Sequence, residues 1–449
     1  MATTRRNSTP HIDRATPDDM TSLVTDVGPA PAQIGAILLL DTSSGTDLDH
    51  IRATIGHRIA SIPRLRQRLQ PTPFGCGRPV WVDHADFDIG RHLSVADPLP
   101  AGDPDAILTL AARLVTTRLD RDRPLWAARL VPVDAGSAAL VLVFHHVLAD
   151  GIGGLAVLAG LVDGAPGSPL AGFPTPAPST AQLAIEALTE RGQRLLRIHQ
   201  LPQRLRAAVR ELRASSGTTA SRSSLNRPTG PRRRLAVATG DLSAIHAAAR
   251  AHGGSVNDVV LAAVAGALGS LLQSRGEEVD RFVVSIPVSR RTATTSTALG
   301  NQIGVAPAEL PTLGDRHERL DVIVTRGAEI RSAPRGASTE LLGPVFRLLA
   351  RIGCFNWFVD RQRLVNSFVT NLRGPTDGLT LAGASITEVL PITAISGNVT
   401  VAFGVLSYIG TLAITIVADP DTAPDLGRLR DALQTELDAY ALLGAEGEG

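Results

Sequence analysis

The segment best equipped for chemistry is Phe144-His145-His146-Val147-Leu148-Ala149-Asp150-Gly151-Ile152-Gly153-Gly154, in which two adjacent histidines precede an acid and a glycine. The apolar run Ala138–Phe144 leads straight into it. The histidines therefore stand where a strand ends, a place from which a side chain is held rigidly and still reaches a cleft. Histidine changes charge near neutral pH without help, so it can take a proton from a reacting hydroxyl and return it. Asp150 can order the loop by accepting hydrogen bonds, and Gly151 allows backbone geometry that other residues resist. The competing readings are a pair of core histidines or a metal pair. Neighbours on a strand point to opposite faces, which disfavours a shared metal. No third ligand stands at a suitable spacing, so no metal is expected.

Several elements must hold this segment. Ile34–Leu40 reads as a buried strand, and Leu48–Ile62 and Asp105–Leu119 as helices. Ala127–Val133 and Ala138–Phe144, separated by Asp134-Ala135-Gly136-Ser137, read as a hairpin, and Gly153–Leu161 as a helix. Gly164–Ser179 has linker composition. Arg191–Arg213 reads as a basic helix with seven Arg against one acid, and Ser215–Arg234 is unpatterned and expected to be mobile. Asp241 precedes a helix to about His252. Ser255-Val256-Asn257-Asp258 opens a further helix that is apolar nearly all round and should be buried. Phe282–Val288, Ser367–Thr370, Val399–Leu406 and Leu412–Val417 read as strands, and Leu320–Ile330 and Leu426–Tyr440 as helices. The class is α/β with two domains, each built on a mixed sheet. The divisions expected are a disordered N-terminus (1–16), a first domain (17–165), a linker with the basic helix (166–234) and a second domain (235–449).

Composition narrows the chemistry. All 44 basic residues are Arg, against 43 acids, for a net charge of +1. Such a balance gives no general pull toward nucleic acid. The absence of lysine reads as codon bias, yet it excludes a Schiff base, pyridoxal phosphate chemistry and a lysine phosphate loop. Two cysteines offer neither a disulfide framework nor a zinc spacing, which points to a reducing, cytoplasmic setting. The longest apolar runs, such as Val256–Leu272, are short and interrupted by Gly for a membrane span, so a soluble or peripheral protein is expected.

His145-His146-x-x-x-Asp150-Gly151 resembles the HHxxxDG motif of the CoA-dependent acyltransferase superfamily. Arg123-Pro124-Leu125-Trp126 resembles that superfamily's PLW segment. Asn257-Asp258-Val259-Val260-Leu261-Ala262 resembles the NDVVLA helix of wax ester synthase/diacylglycerol acyltransferases. Ser285-Ile286-Pro287-Val288-Ser289-Arg290 is similar to that family's PVSxR strand, and Gly300-Asn301-Gln302 to its GNxx loop. Thr370-Asn371-Leu372-Arg373-Gly374-Pro375 resembles SNVPGP, with Leu372-Arg373 in place of Val-Pro, and Ser407-Tyr408-Ile409-Gly410 resembles SYxG. The matches fall in the family's order and span most of the chain.

The resemblance implies two chloramphenicol acetyltransferase-like domains, each a mixed sheet flanked by helices, with the active site at their interface. It implies transfer of a long-chain acyl group from acyl-CoA to diacylglycerol or a fatty alcohol, by direct attack and without a cofactor beyond acyl-CoA as co-substrate. His146 would be the general base and His145 a support for the loop. Asp150 would form an ion pair with an arginine of the other domain, Arg290 first and Arg291 second. Gly151, Asn257 and Asp258 would support the site, with Asp258 as cap partner of Ser255 and Asn257 either lining the site or bonding the helix end. Asn301, Gln302, Asn371 and Gly374 would contact substrate, the first two as candidate oxyanion donors. Phe355, Trp357 and Phe358 within Phe346–Phe358 suit a membrane-interface patch, an acyl-tunnel wall or ordinary core, and the basic helix could meet anionic lipid at a membrane or lipid droplet. The alternatives are a carrier-protein-dependent condensation or polyketide-esterifying acyltransferase, and a non-catalytic lipid-binding relative.

Overall fold

The computed structural model describes residues 12–100, 103–149, 151–165, 172–196, 219–289, 303–332 and 337–446, with His199, Gln203 and Arg206. Its strands are β1 (Gln33–Asp41), β2 (Gln67–Gln70), β3 (Val80–Asp83), β4 (Leu93–Val95), β5 (Trp126–Asp134), β6 (Ser137–His145), β7 (Arg234–Asp241), β8 (Arg281–Ser289), β9 (Ile303–Pro311), β10 (Ser367–Arg373), β11 (Thr380–Leu381), β12 (Ala384–Ile392), β13 (Val401–Tyr408) and β14 (Thr411–Ala418). They form two six-stranded sheets, ordered β11-β12-β1-β6-β5-β4 and β7-β14-β13-β10-β8-β9, beside a small β2-β3 ribbon. Both large sheets are mixed. In the first, β4 runs parallel to β5 among antiparallel neighbours; in the second, β10 runs parallel to both β8 and β13.

Burial explains the apolar runs. In β6, Ala138, Leu140, Leu142 and Phe144 enter one core, while Ala139, Val141 and Val143 enter another. A strand covered on both faces reads as an unbroken hydrophobic run rather than an alternation. The second of these cores joins the two sheets, because Leu235, Ala402, Ala413 and Val417 of the second sheet belong to it as well. The helix Val256–Ser274 is buried along most of its length against the second sheet and against the helix Leu426–Glu446. It is the one described helix long and apolar enough to cross a membrane, and it lies in the core.

The sheets do not follow the order of the chain. β11 and β12, from the later half, complete the first sheet, where β12 pairs antiparallel with β1. The two-residue turn between them places Ala382 and Gly383 at φ 54° and 83°. The left-handed region costs a residue with a Cβ roughly 1–2 kcal/mol. Asp163, at the end of the helix Gly151–Leu161, offsets this by accepting from the N–H groups of Ala382 (3.0 Å) and Gly383 (2.9 Å) while holding Arg58. Burial pushes the Asp163 carboxyl up, but Thr380, Arg58 and the two turn amides together hold it well below the usual range.

Two expectations need correction. Residues 12–16 are packed rather than disordered: Arg14 donates to Glu186, to the carbonyls of Cys76 and Arg78, and to that of Leu183, each at 2.9 Å. Residues 219–234 are also ordered, since Leu225 enters the core around the helix Val256–Ser274 and Asn226 bonds the carbonyl of Asn366. A buried arginine and an asparagine that serves backbone carbonyls leave no hydrophobic period, so the pattern hid both segments. Replacement of Asp163 by Ala should cost about 1–3 kcal/mol through the turn amides it leaves unpaired. It should also speed hydrogen exchange selectively in β11 and β12; unchanged exchange there would reject the clamp.

Candidate active site

His145 closes β6, opposite Gln33 of β1. Its backbone N–H donates to Leu125 O (2.9 Å), and the N–H of His146 donates to Ala32 O (3.0 Å). Leu125 belongs to the segment Arg123-Pro124-Leu125-Trp126, whose Trp126 is buried and donates Nε1–H to Leu65 O at 2.7 Å. That tryptophan pairs in register with Phe144 and so pins the strand that carries the histidines. On the other side, Gln33 is buried. It donates to Val115 O and Thr117 O and accepts from Leu119 N–H, which ties off the end of the helix Ala106–Thr116.

The two histidines face different surroundings. His145 is buried, and both of its ring nitrogens are engaged. Nδ1 accepts the Val147 N–H at 3.0 Å, so the ring proton sits on Nε2, 3.2 Å from Asp26 Oδ2. Asp26 is itself buried. Its Oδ1 accepts from Ala32 N–H (2.8 Å), and its Oδ2 accepts from Arg118 (2.9 Å) and Arg121 (2.7 Å). Burial pushes the carboxyl up, but the bonds from His145, Ala32 and Arg121 outweigh it and hold Asp26 well below the usual range. Asp26 thus joins the residues after the helix Pro17–Thr25 to the end of β6.

His146 is half-buried and lines a cavity of about 490 Å³. Both sheets supply the walls: Gly35 and Ala36 of β1, Phe144, Thr370 and Leu372 of β10, and Leu406 of β13. Phe346 and Phe355 close another side, with ring centroids 5.8 Å apart. The helix Pro17–Thr25 contributes Thr21 and Thr25, and Arg347 holds it through Pro17 O (3.0 Å) and Thr21 Oγ1 (2.8 Å). A neutral imidazole on such a wall can accept a proton from a hydroxyl brought into the cavity.

The remaining expected residues separate into groups. Gly151 also lines the cavity, but its φ is not left-handed. It is the first residue of the helix Gly151–Leu161, and a Cβ there would lie 3.0 Å from Leu372 Cδ2, so its small size serves the contact between the sheets. Gly374 donates to Ser407 O at 3.0 Å, and a Cβ there would come within 2.3 Å of that oxygen. Asn371 and Asn257 bond each other, Nδ2 to Oδ1 at 3.2 Å, and neither lines the cavity. Alternation along β10 sends Thr370 and Leu372 to the cavity and Asn371 to the other face. Asp258 is buried and accepts from the N–H (2.9 Å) and Oγ–H (2.7 Å) of Ser255 at the helix start. Asp150, Arg290, Arg291, Asn301 and Gln302 lie outside the described residues. Two charged residues of this region left no sequence signal. Asp26 stands 119 positions from the histidine it holds, and Arg233, on the cavity wall, sits in an unpatterned stretch. Among the described residues no group of three or more His, Cys, Asp or Glu is arranged to hold a metal ion.

Comparison with known proteins bears on this arrangement. Residues 16–260 match the model of the wax ester synthase/diacylglycerol acyltransferase catalytic domain, and residues 299–441 match that of the family's C-terminal domain. The chain belongs to the wax ester synthase/diacylglycerol acyltransferase family. It is an acyltransferase with the family's two-domain, chloramphenicol acetyltransferase-like fold. A Mycobacterium tuberculosis protein named as a probable diacylglycerol O-acyltransferase is 28% identical over 431 residues, 92% of this chain and 91% of its own length. Another M. tuberculosis protein named for the same activity is 30% identical over 432 residues, 89% of this chain and 91% of its own. Among solved structures, the wax ester synthase/diacylglycerol acyltransferase of Marinobacter aquaeolei VT8 superposes with a TM-score of 0.67 at 22% identity, covering 96% of this chain and all of that one. The first condensation domain of the calcium-dependent antibiotic synthetase superposes at 0.64 with 17% identity, covering 96% of each chain.

Asp26 gives this family member a pH signature. Its folded-state pKa lies below the unfolded value near 3.8, so its stabilisation is complete above 3.8 and is lost progressively as pH falls from there through the folded-state value. Asp26→Asn should lower the melting temperature at pH 7, and its gap to the parent should close as the pH is taken below about 4. A gap that stays constant with pH would mean that the ionised carboxylate is not what stabilises the fold.

Proposed function

We propose that the chain transfers a long-chain fatty acyl group from acyl-CoA to the hydroxyl of diacylglycerol, or of a fatty alcohol, with His146 as general base. The observation that carries this reading is the placement of His146 on an apolar cavity walled by both sheets, while His145 spends both ring nitrogens on Asp26 and Val147.

The acceptor oxygen attacks the thioester carbonyl as the His146 imidazole takes its proton. The tetrahedral adduct then collapses, the C–S bond breaks, and the imidazolium returns the proton to the departing sulfur. The products are the new ester and free CoA, with no acyl-enzyme between them. A positioned general base contributes about 10²–10⁴-fold. The oxyanion needs hydrogen-bond donors, for which backbone N–H groups and the Asn301 and Gln302 side chains are the candidates. Asp150 and Arg290 are assigned the ion pair that braces the loop. The apolar walls keep water from competing for the thioester.

The substrates are lipids, and the surface beside the cavity suits a lipid interface. Phe346 and Phe355 face the cavity, while Leu348, Ile352 and Trp357 of the same stretch are exposed. We assign this outer face to contact with a membrane or lipid-droplet surface. Trp81 and Trp126 are buried, so Trp357 is the tryptophan that solvent reaches.

Purified protein with palmitoyl-CoA and either diolein or hexadecanol should release thiol and form neutral lipid. His146→Ala should lower kcat by about 10²–10⁴-fold with little change in KM for acyl-CoA; activity near the parent's would remove His146 from the mechanism. Lipid vesicles should blue-shift the tryptophan emission and protect it from aqueous acrylamide, and Trp357→Phe should abolish both changes. A signal that persists in that variant would reject this face as the contact.

A further inference from the structure

Among the described residues, the walls of the cavity that holds His146 contain a single guanidinium, that of Arg233, just ahead of β7. Its Nη1 donates to Gly230 O and Arg232 O, both at 2.7 Å, and its Nη2 donates to Ile395 O at 3.3 Å. Its bonded partners among the described residues are therefore neutral carbonyls, not carboxylates. These bonds use three of the five N–H donors of a guanidinium. Burial pushes the group down to about 10, against the pull of the Asp419 carboxylate. A partly desolvated cation with donors to spare favours an oxygen acceptor brought to it.

The charges facing the cavity bear on which acceptor. Asp18 and Asp26 line it as well, so the described lining holds two carboxylates against one guanidinium. Arg118 and Arg121 already meet Asp26, so an anionic headgroup would find no second guanidinium on the described wall, whereas a neutral carbonyl oxygen needs only a donor. The other residues near Arg233 on the wall, Thr229, Ile395 and Ser396, carry no charge. The volume, about 490 Å³, is in the ordinary range for a ligand site.

We propose that Arg233 selects the acceptor, by donating to an ester carbonyl of a glyceride whose free hydroxyl is presented to His146. An acceptor with acyl ester groups beside its hydroxyl then binds through Arg233, and an alcohol on a bare alkyl chain does not. The proposal rests on the acyl-transfer reading above and adds a preference within it. It makes Arg233 a specificity-determining residue and gives it no part in proton transfer.

The test compares kcat/KM for diolein and for hexadecanol at fixed palmitoyl-CoA in the parent, Arg233→Ala, Arg233→Gln and Arg233→Lys. The ratio of diolein to hexadecanol should fall about tenfold or more in the Ala variant, the scale of a lost hydrogen bond to a charged group. It should recover in part with Lys, which keeps the charge without the planar fork, and the pH profile should keep its shape. Equal loss for both acceptors would overturn the proposal, because Arg233 would then serve the donor or the fold. So would an unchanged ratio. Inhibition by oleate that is strong in the parent and lost in the Ala variant would also overturn it, in favour of a site for an anion. If Arg233→Ala does not fold, the ratio in the Gln and Lys variants decides. A parent that acylates neither lipid would refute the proposed function instead. Displacement of a fluorescent fatty alcohol from the cavity then tests Arg233 without turnover: diolein should compete better against the parent than against Arg233→Gln, and equal competition would overturn the proposal.

Discussion

A buried carboxylate, Asp26, holds the centre of this molecule together. Taking a charge out of water is costly unless hydrogen bonds and counter-charges offset it. Asp26 has both: the Nε2–H of His145, the N–H of Ala32, and Arg118 and Arg121 at the rim. The arginines are about half exposed, so their share of the energy is small. The bonds to His145 and Ala32 are shielded and carry more. They also have a directional consequence. His145 and His146 are consecutive, and the backbone of each is pinned, one to Leu125 and the other to Ala32. With the first ring turned to Asp26 and Val147, the second is left at the cavity. The geometry of the cavity-lining histidine thus depends on a residue that does not line up with it in any sequence motif.

The cavity depends in turn on the exchange of strands between the sheets. β12 leaves the second half of the chain to pair with β1, and its end carries Pro391 and Ile392 into the cavity wall. β10 and β13 of the second sheet face it with Thr370, Leu372 and Leu406. Neither half could enclose this space alone. The contact of Gly151 with Leu372 places the start of the helix after the histidines directly against the second sheet, and a larger side chain at either position would push the sheets apart.

Much of this was legible in the sequence, and for physical reasons. β6 shows itself because burial on both faces writes a continuous apolar run, and the turn residues Asp134 to Ser137 mark the hairpin before it. The helix Val256–Ser274 shows itself because it is apolar all round, and Asp258 caps it from a position that spacing alone suggests. Partnerships between distant positions were not legible. Asp26 meets His145, and Asn371 meets Asn257 on the face of β10 away from the cavity; single residues without a period announce neither. β12 was missed because its alternation gives way to an apolar run that contains Pro391, and the helix Pro17–Thr25 because nine mostly polar residues carry too short a period. Arg233 was hidden inside a run of arginines whose other members face solvent.

The stretch from Phe346 to Phe358 shows why such a site resists division into a catalytic part and a surface part. Its aromatic rings meet one another, with Phe346 5.8 Å from both Phe355 and Phe358, so the inner wall of the cavity is one rigid cluster. Leu348, Ile352 and Trp357 lie on the outside of the same short elements. A change that moves the outer face therefore moves the rings behind it, because packed interiors transmit displacement rather than absorb it. Arg347, between Phe346 and Leu348, extends the coupling to the helix Pro17–Thr25 through Pro17 and Thr21. That helix leads directly into Asp26. The outer apolar face, the cavity wall and the carboxylate that orients the histidines are thus linked by one continuous chain of contacts.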